Sequence, residues 1–223
     1  MNILKIFVIL QGLEMDKFQP ILLDNLYYLG DRNYIQGGTI YELFLPKLLQ
    51  RFSDIKSLDF TYRSIIHQNL IFFDKQRENS IIKVVLNLKC ADRTYKLYGY
   101  HQEEIQTIKE RIPYDEKEIL KTAIIHDSNI YLNAPFQKIS VVRYVIAMNK
   151  ELLSFLFKSE IENFKWFLSR LTLNQVIDES RIQEIHLQYL SRFEFQIVKT
   201  EIFINQKSVG FIYFSLKGED YVL

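Results

Sequence analysis

The strongest constraint on the fold is an internal repeat. The stretch ILLDNLYYL (Ile21 to Leu29) lies 103 residues before IIHDSNIYL (Ile124 to Leu132), and four of their nine positions are identical. At the same offset, Tyr41 to Leu49 falls on Tyr144 to Leu152. Two matches in the same order predict that the chain contains two copies of one supersecondary unit.

A third match has a larger offset. Ser53 to Ser64 matches Ser180 to Ser191 at 127 residues, with four of twelve positions identical. The second copy should therefore contain an insertion. The apolar spacing over Phe157 to Leu171 predicts that this insertion is an amphipathic helix packed within the chain. The strands around Ile55 and Ile182 should then be equivalent.

Each copy has the same predicted order of elements: a short strand, a loop, an apolar helix and several long strands. The first helix should begin near Thr39 as its N-cap, and Pro46 should kink it or end it early. Alternating β-branched and aromatic residues predict the strands. The predicted organisation is a first half over residues 1–100, a charge-dense and partly helical linker over 101–120, and a second half with the helical insertion over 121–223.

A buried helix wrapped by an antiparallel sheet, present twice in one chain, resembles the double form of the hotdog fold, an α+β architecture. Single hotdogs pair their sheets edge to edge. The resemblance implies that one chain supplies both halves of such a pair. Association into a homo-oligomer through sheet edges is a further expectation.

Three of the seven glycines lie in one loop, GDRNYIQGG, at residues 30–38. GDRNYIQ resembles the loop GDRNPIH of MaoC-like, (R)-specific enoyl-thioester hydratases, with five of seven positions identical, namely Gly30, Asp31, Arg32, Asn33 and Ile35. The resemblance implies that Asp31 activates the water. Gln36 stands in place of the histidine, and Tyr34 in place of the proline. Because a glutamine amide cannot exchange a proton near neutral pH, the hydration chemistry does not carry over intact.

The sequence QGGT also resembles the HGG opening of PaaI-type hotdog thioesterases. Gly37 and Gly38 would let a thioester carbonyl approach backbone N–H groups at a helix N-terminus, which stabilise a developing oxyanion. The resemblance implies an acid further along the helix, where this chain has Leu45. Glu42 is the nearest substitute.

The second copy lacks this loop. At offset 103, the glycine pair is replaced by Ser140 and Val141, so a single thioester site is expected, in the first half. His126 precedes Asp127 and is either a surface residue or a group that reaches Asp31 across the interface of the halves. The loop also has a simpler interpretation, as a turn that Asp31 caps locally.

Composition excludes several classes of function. The 223 residues carry 28 basic and 27 acidic side chains, and this balance argues against a nucleic-acid or membrane-surface role. The apolar run Ile6 to Leu10 is too short to span a membrane, and we expect a cytoplasmic protein. Cys90 is the single cysteine, so no intrachain disulfide is possible. We expect residues 1–14, which lie outside the residues that the structure describes, to be either a leading strand or a segment that precedes the native start.

Two hypotheses about function remain. In the first, the chain is a thioesterase or (de)hydratase of fatty-acid or polyketide-type metabolism that acts on acyl-CoA or acyl carrier protein thioesters. Its candidate catalytic residues are Asp31, Gln36, Glu42 and His126, and its candidate substrate-binding residues are Asn33, Tyr34, Gly37, Gly38 and Thr39. In the second, the chain is a non-catalytic double hotdog that binds an acyl chain or a protein. No metal-ligand spacing is present, and no cofactor is expected.

Overall fold

The computed structural model describes residues 18–91, 93–103, 108–134, 136, 139–158, 164–194 and 196–218. The first part of the chain forms β1 (Ile21–Leu23), β2 (Tyr28–Leu29), α1 (Gly37–Arg51), β3 (Ile55–Tyr62), β4 (Leu70–Phe73), β5 (Val84–Cys90) and β6 (Arg93–His101). Then come β7 (Arg111–Ile112) and α2 (Glu116–Ile119). The rest forms β8 (Ile124–His126), β9 (Asn129–Asn133), α3 (Val141–Leu156), β10 (Phe164–Leu173), β11 (Glu184–Phe193), β12 (Ile197–Ile204) and β13 (Lys207–Gly218).

One antiparallel sheet of eleven strands runs through the described residues, in the order β1-β4-β6-β5-β3-β10-β13-β12-β11-β9-β8. The strands that surround α1 occupy one side and those that surround α3 occupy the other. The two sides meet where β3 pairs with β10, with Phe60 opposite Leu171. At this junction Arg170 donates two hydrogen bonds of 2.8 Å to the carboxylate of Asp59.

The two long helices pack against each other and against the sheet. From α1, Phe44 stacks on Phe72 of β4 with 4.1 Å between ring centroids, and Tyr41 contacts the edge of Phe60. On α3, every residue from Val141 to Asn149 is buried. Because both helices contribute to one continuous apolar core, the two sides of the sheet stabilise each other.

The repeat at offset 103 is confirmed as a repeat of elements. Both of its nonapeptides form short strands before a long helix, and both helical segments are helices. One large antiparallel sheet with few helices is the hotdog-type architecture that the sequence predicted. α2 is the helical part of the predicted linker, with the Asp115 side chain accepting hydrogen bonds at its start.

The predicted helix over Phe157 to Leu171 is wrong. Residues from Phe164 onward form β10, and residues 159–163 lie outside the described residues. The register of β10 against β13 shifts between Leu168 and Arg170. This irregularity interrupts the strict alternation of a strand, so the apolar spacing imitates a helical period.

The predicted equivalence of Ile55 and Ile182 is wrong as well. β3 directly follows α1, and the strand that directly follows α3 is β10. Ile182 precedes β11, which is a later strand of the second half. The sequence match at an offset of 127 residues thus aligned two strands that have a similar alternation of apolar and polar residues but different places in the order of elements.

Two details of α1 also differ from expectation. Its N-cap is Gln36 and not Thr39, which lies within the first turn. The helix continues past Pro46 to Arg51. Phe44 and Leu48 are fully buried on either side of the proline, and this packing holds the helix together where one hydrogen bond is lost. Among the described residues, none of the helices is long and apolar enough to cross a membrane.

Candidate functional site

The loop before α1 is fixed by contacts with the segment between the two halves. β2 and β7 form a short parallel pair, and the Gly30 N–H donates to the carbonyl of Ile112 at 2.9 Å. Gly30 has φ +54, and a Cβ there would lie 3.1 Å from the Tyr114 carbonyl oxygen. Glycine is therefore strongly favoured at this position. Asp31 and Asn33 are exposed on the same loop.

Gln36 is buried, with 4% of its surface exposed. Its backbone carbonyl accepts the N–H groups of Thr39 and Ile40, which begins the helix. Both polar atoms of its side-chain amide are buried and have no hydrogen-bond partner among the described residues. A buried amide in this state is costly unless a ligand or water satisfies it.

Gly37 and Gly38 bring the first turn of α1 into close contact with its neighbours. A Cβ on Gly37 would lie 2.6 Å from Leu168 Cδ2 and 2.9 Å from Tyr62 Cζ. A Cβ on Gly38 would lie 3.0 Å from Ile146 Cδ1 of α3. The Tyr62 hydroxyl donates to the Gly37 carbonyl at 3.0 Å. The glycine pair thus has a packing role, while the N–H groups of Gly37 and Gly38, at the very start of the helix, have no intrahelical acceptor.

A cavity of about 50 Å³, here called the inner cavity, lies at this helix start. Its wall includes Tyr34, Gln36 and Gly37 from the loop and helix, Ser64 after β3, and Lys150 and Trp166 from the second half. The Ser64 hydroxyl and the Trp166 indole nitrogen are also buried without a partner among the described residues. Three polar side chains that the described residues leave without a hydrogen-bond partner therefore line one small cavity.

A wider depression of about 710 Å³, the outer groove, adjoins the inner cavity. Tyr34, Lys150 and Trp166 line both. The charged side chains around the groove are four basic and two acidic, namely Arg32, Lys117, Lys150, Lys165, Glu116 and Glu151. The groove is therefore suited to the negative charge of a phosphate.

Lys150 lies in a cluster of charged side chains at the boundary of the two spaces. Its Nζ lies 3.1 Å from Glu116 Oε1, and the same oxygen lies 2.8 Å from Arg32 Nη2. Burial lowers the pKa of Lys150, and the charge of Arg32 also lowers it, while Glu116 acts in the opposite direction. Burial likewise raises the pKa of the Tyr34 phenol.

Glu42 lies elsewhere. It lines a cavity of about 670 Å³ at the start of α3, here called the second-half cavity. Its carboxylate forms an ion pair with the buried Arg143 and accepts a hydrogen bond from the Tyr27 hydroxyl. In the same cavity, Glu179 accepts the Val141 N–H at 3.0 Å, and burial raises the pKa of Glu179. A carboxylate thus already occupies the start of α3.

The histidines lie away from the inner cavity. The side chain of His126 is 79% exposed in the β8–β9 hairpin, 3.1 Å from Asp127. His67 Nδ1 contacts the Asn33 carbonyl, and His186 stacks between Tyr131 and Phe203. Within the described ranges, the His, Cys, Asp and Glu side chains form no group suited to a metal ion.

His101 predicts a loss of stability in acid. Burial lowers its pKa to about 4, from an ordinary value of 6.5. The unfolded chain protonates His101 at a higher pH than the folded chain does. The free energy of unfolding should therefore fall as the pH is lowered from about 6.5 to about 4. Urea unfolding across the window measures the effect. His101→Gln should flatten the dependence, whereas His126→Gln, at an exposed position, should leave it unchanged.

The structure gathers Tyr34, Gln36 and Gly37 in one cavity. Gly38 and Thr39 lie in the adjoining helical turn. Asp31 and Asn33 are exposed on the loop, Glu42 lines the second-half cavity, and His126 is exposed in a hairpin. Sequence reasoning missed Ser64, Lys150 and Trp166. Only Lys150 carried a signal, because it is a charged residue in the apolar run that forms α3.

No protein-family model matches the sequence, and no curated protein matches it. Several solved structures are similar in architecture. A tesB protein of Mycobacterium avium aligns with 94% of this chain and 97% of its own, at 9% identity and a TM-score of 0.45. The dehydratase domain of PpsC from Mycobacterium tuberculosis, in complex with C12:1-CoA, aligns with 88% of this chain and 87% of its own, at 9% identity and a TM-score of 0.48.

Proposed function

We propose that the chain is a double hotdog that binds short acyl thioesters, with the thioester group in the inner cavity. The carrier, coenzyme A or an acyl carrier protein, would extend along the outer groove. The observation that carries the proposal is a set of three buried polar side chains around one cavity at a helix start, Gln36, Ser64 and Trp166, which have no hydrogen-bond partner in the part of the chain that the structure describes.

A thioester carbonyl supplies what these groups lack. The Gln36 amide, the Ser64 hydroxyl and the Trp166 indole are all hydrogen-bond donors, and a carbonyl oxygen accepts such bonds. The N–H of Gly37 adds a backbone donor at the positive end of α1. The cavity volume of about 50 Å³ favours a head group with a short acyl chain over a long one.

The outer groove supports the carrier part of the proposal. Its basic residues outnumber its acidic residues, and the phosphates of coenzyme A and of phosphopantetheine are anionic. Tyr34, Lys150 and Trp166 lie where the two spaces adjoin, which is where a pantetheine arm would pass.

Binding is better supported than turnover. Asp31 and His126 are exposed, and Glu42 is engaged with Arg143 in a different cavity. A thioesterase or (de)hydratase activity that uses these residues stays a prediction, as do the domain boundaries and association through sheet edges. For the hypothesis of a non-catalytic binding protein, the ligand that we propose is an acyl thioester.

Binding is expected to change the fluorescence of Trp166, the single tryptophan of the chain, because it lines both spaces. Acetonyl-coenzyme A keeps the carbonyl but has no thioester bond to cleave, so it reports binding alone. Gln36→Met should weaken its binding by about tenfold, since a hydrogen bond is worth roughly 1 kcal/mol or slightly more. Fluorescence titration of the full chain measures both effects.

Two matched variants serve as controls. Gln50→Met makes the same change at an exposed position near the end of α1, and Glu179→Gln changes the second-half cavity. Both should leave the affinity unchanged, because the proposal places one head group per chain in the inner cavity. Equal affinities for Gln36→Met and Gln50→Met, or loss of binding in Glu179→Gln, would contradict the proposal.

A further inference from the structure

The amine of Lys150 has no role in the proposed binding of a carbonyl, yet it lies beside it. Lys150 projects from α3 and lines both the inner cavity and the outer groove. Its side chain is only 20% exposed. A carbonyl group inside the inner cavity, which measures about 50 Å³, therefore occupies a space that Lys150 borders together with Gln36.

The surroundings of Lys150 leave its positive charge incompletely balanced. Glu116 is shared between Lys150 and Arg32, so two cations depend on one carboxylate oxygen. Burial lowers the pKa of Lys150 and outweighs the opposing effect of Glu116, while the Arg32 charge also lowers it, so the neutral, nucleophilic fraction of the amine increases. The other titratable side chains that line the two spaces are Tyr34, Tyr62, Lys117, Glu151, Lys165 and Lys217.

We propose that Lys150 is an acylation site, modified by the short acyl thioester that the inner cavity binds. The inference rests on the proposed function, since it needs the thioester to be seated beside the amine. The neutral Nζ attacks the carbonyl carbon, a C–N bond forms, and the C–S bond breaks. The thiolate leaves and receives the proton that the nitrogen loses, so an amide and a free thiol result without any other reactant.

The same donors that bind the carbonyl assist this transfer. The carbonyl oxygen gains negative charge when the amine attacks, and the Gln36 amide, the Trp166 indole and the Gly37 N–H are placed to stabilise it. The product amide removes the charge of Lys150 and leaves Glu116 to Arg32 alone. Its acyl group fills the inner cavity, so each chain accepts one acyl group and then no longer binds a thioester.

The experiment incubates the full chain with acetyl-coenzyme A and locates the acetyl group by peptide mass spectrometry. Lys150 should be acetylated at least about tenfold faster than Lys121, whose side chain is 72% exposed, because the bound thioester is held beside Lys150 and burial lowers the pKa of the Lys150 amine. The initial rate at Lys150 should rise with pH as the ammonium group loses its proton.

Variants separate this inference from the binding proposal. Lys150→Met should abolish the fast acetylation, while Lys121→Met should leave it unchanged. Gln36→Met should slow it along with binding. Acetonyl-coenzyme A is titrated against the Trp166 fluorescence of the same preparation. If it binds but exposed lysines are acetylated as fast as Lys150, the acylation site is overturned and the binding proposal stands. If acetonyl-coenzyme A does not bind, the binding proposal is overturned, and the acylation proposal, which rests on it, is overturned with it.

Discussion

Gly37→Ala is expected to lower the free energy of unfolding by roughly 1–3 kcal/mol, the usual cost of overpacking a core. The added methyl group would lie 2.6 Å from Leu168 Cδ2 and 2.9 Å from the ring of Tyr62. The Tyr62 ring cannot retreat freely, because its hydroxyl is hydrogen-bonded to the Gly37 carbonyl. Urea unfolding followed by circular dichroism measures the loss.

Gly38→Ala is the matched control in the next position. Its methyl group would lie 3.0 Å from Ile146 Cδ1, the end of a flexible side chain. The higher helix propensity of alanine, worth roughly 1 kcal/mol in a helix interior, should offset that contact and leave the stability nearly unchanged. If both substitutions have the same effect, the glycine pair is not explained by contact with Tyr62 and Leu168.

The contacts of the loop GDRNYIQGG in the structure differ from the roles that its sequence resemblance implies. Gly37 and Gly38 were predicted to let a ligand approach the backbone, and in the structure Gly37 also allows close packing of the two halves, while Gly30 supports a turn with positive φ. Gln36 is different. Its amide is buried and has no hydrogen-bond partner within the described ranges, and packing gives no reason for that. The glutamine that replaces the expected histidine is therefore the residue of this loop that most directly indicates a ligand.

Local patterns predicted much of the fold. The repeat at offset 103 located both long helices, because an apolar helix and the short strands before it are defined by neighbours in sequence. The failures came where long-range pairing decides the structure. β10 was read as a helix because the irregularity of its pairing with β13 hides its alternation. The match of Ile55 with Ile182 failed because alternation does not tell which strand of a sheet is meant.

The site was less predictable than the fold. Ser64, Lys150 and Trp166 come from three segments that meet only after β3 pairs with β10 and α3 packs against α1. No spacing in the sequence relates them to Gln36. Sequence resemblance can therefore identify the loop, whereas the other residues that line the inner cavity can be identified only from the tertiary structure.

Glu42→Ala is expected to lower the free energy of unfolding by roughly 2–3 kcal/mol, because removal of one partner leaves a buried charge without compensation. The Arg143 side chain is 6% exposed and that of Glu42 is 32% exposed, so the cost should fall somewhat below that of a fully buried pair. Glu42 was predicted from the sequence as a catalytic acid. In the structure its carboxylate binds Arg143 and Tyr27, which indicates a structural role.

A double substitution distinguishes the ion pair from a general effect on α1. Arg143→Met in the Glu42→Ala background removes the unpaired charge, so the double variant should be more stable than the sum of the two single losses predicts. Glu151→Ala, an exposed acid on α3, should change stability little. Affinity for acetonyl-coenzyme A should be retained in the folded Glu42→Ala protein, because Glu42 does not line the inner cavity. If stability is unchanged but thioester binding or turnover is lost, Glu42 belongs to the site after all, and the start of α3 is where the thioester binds.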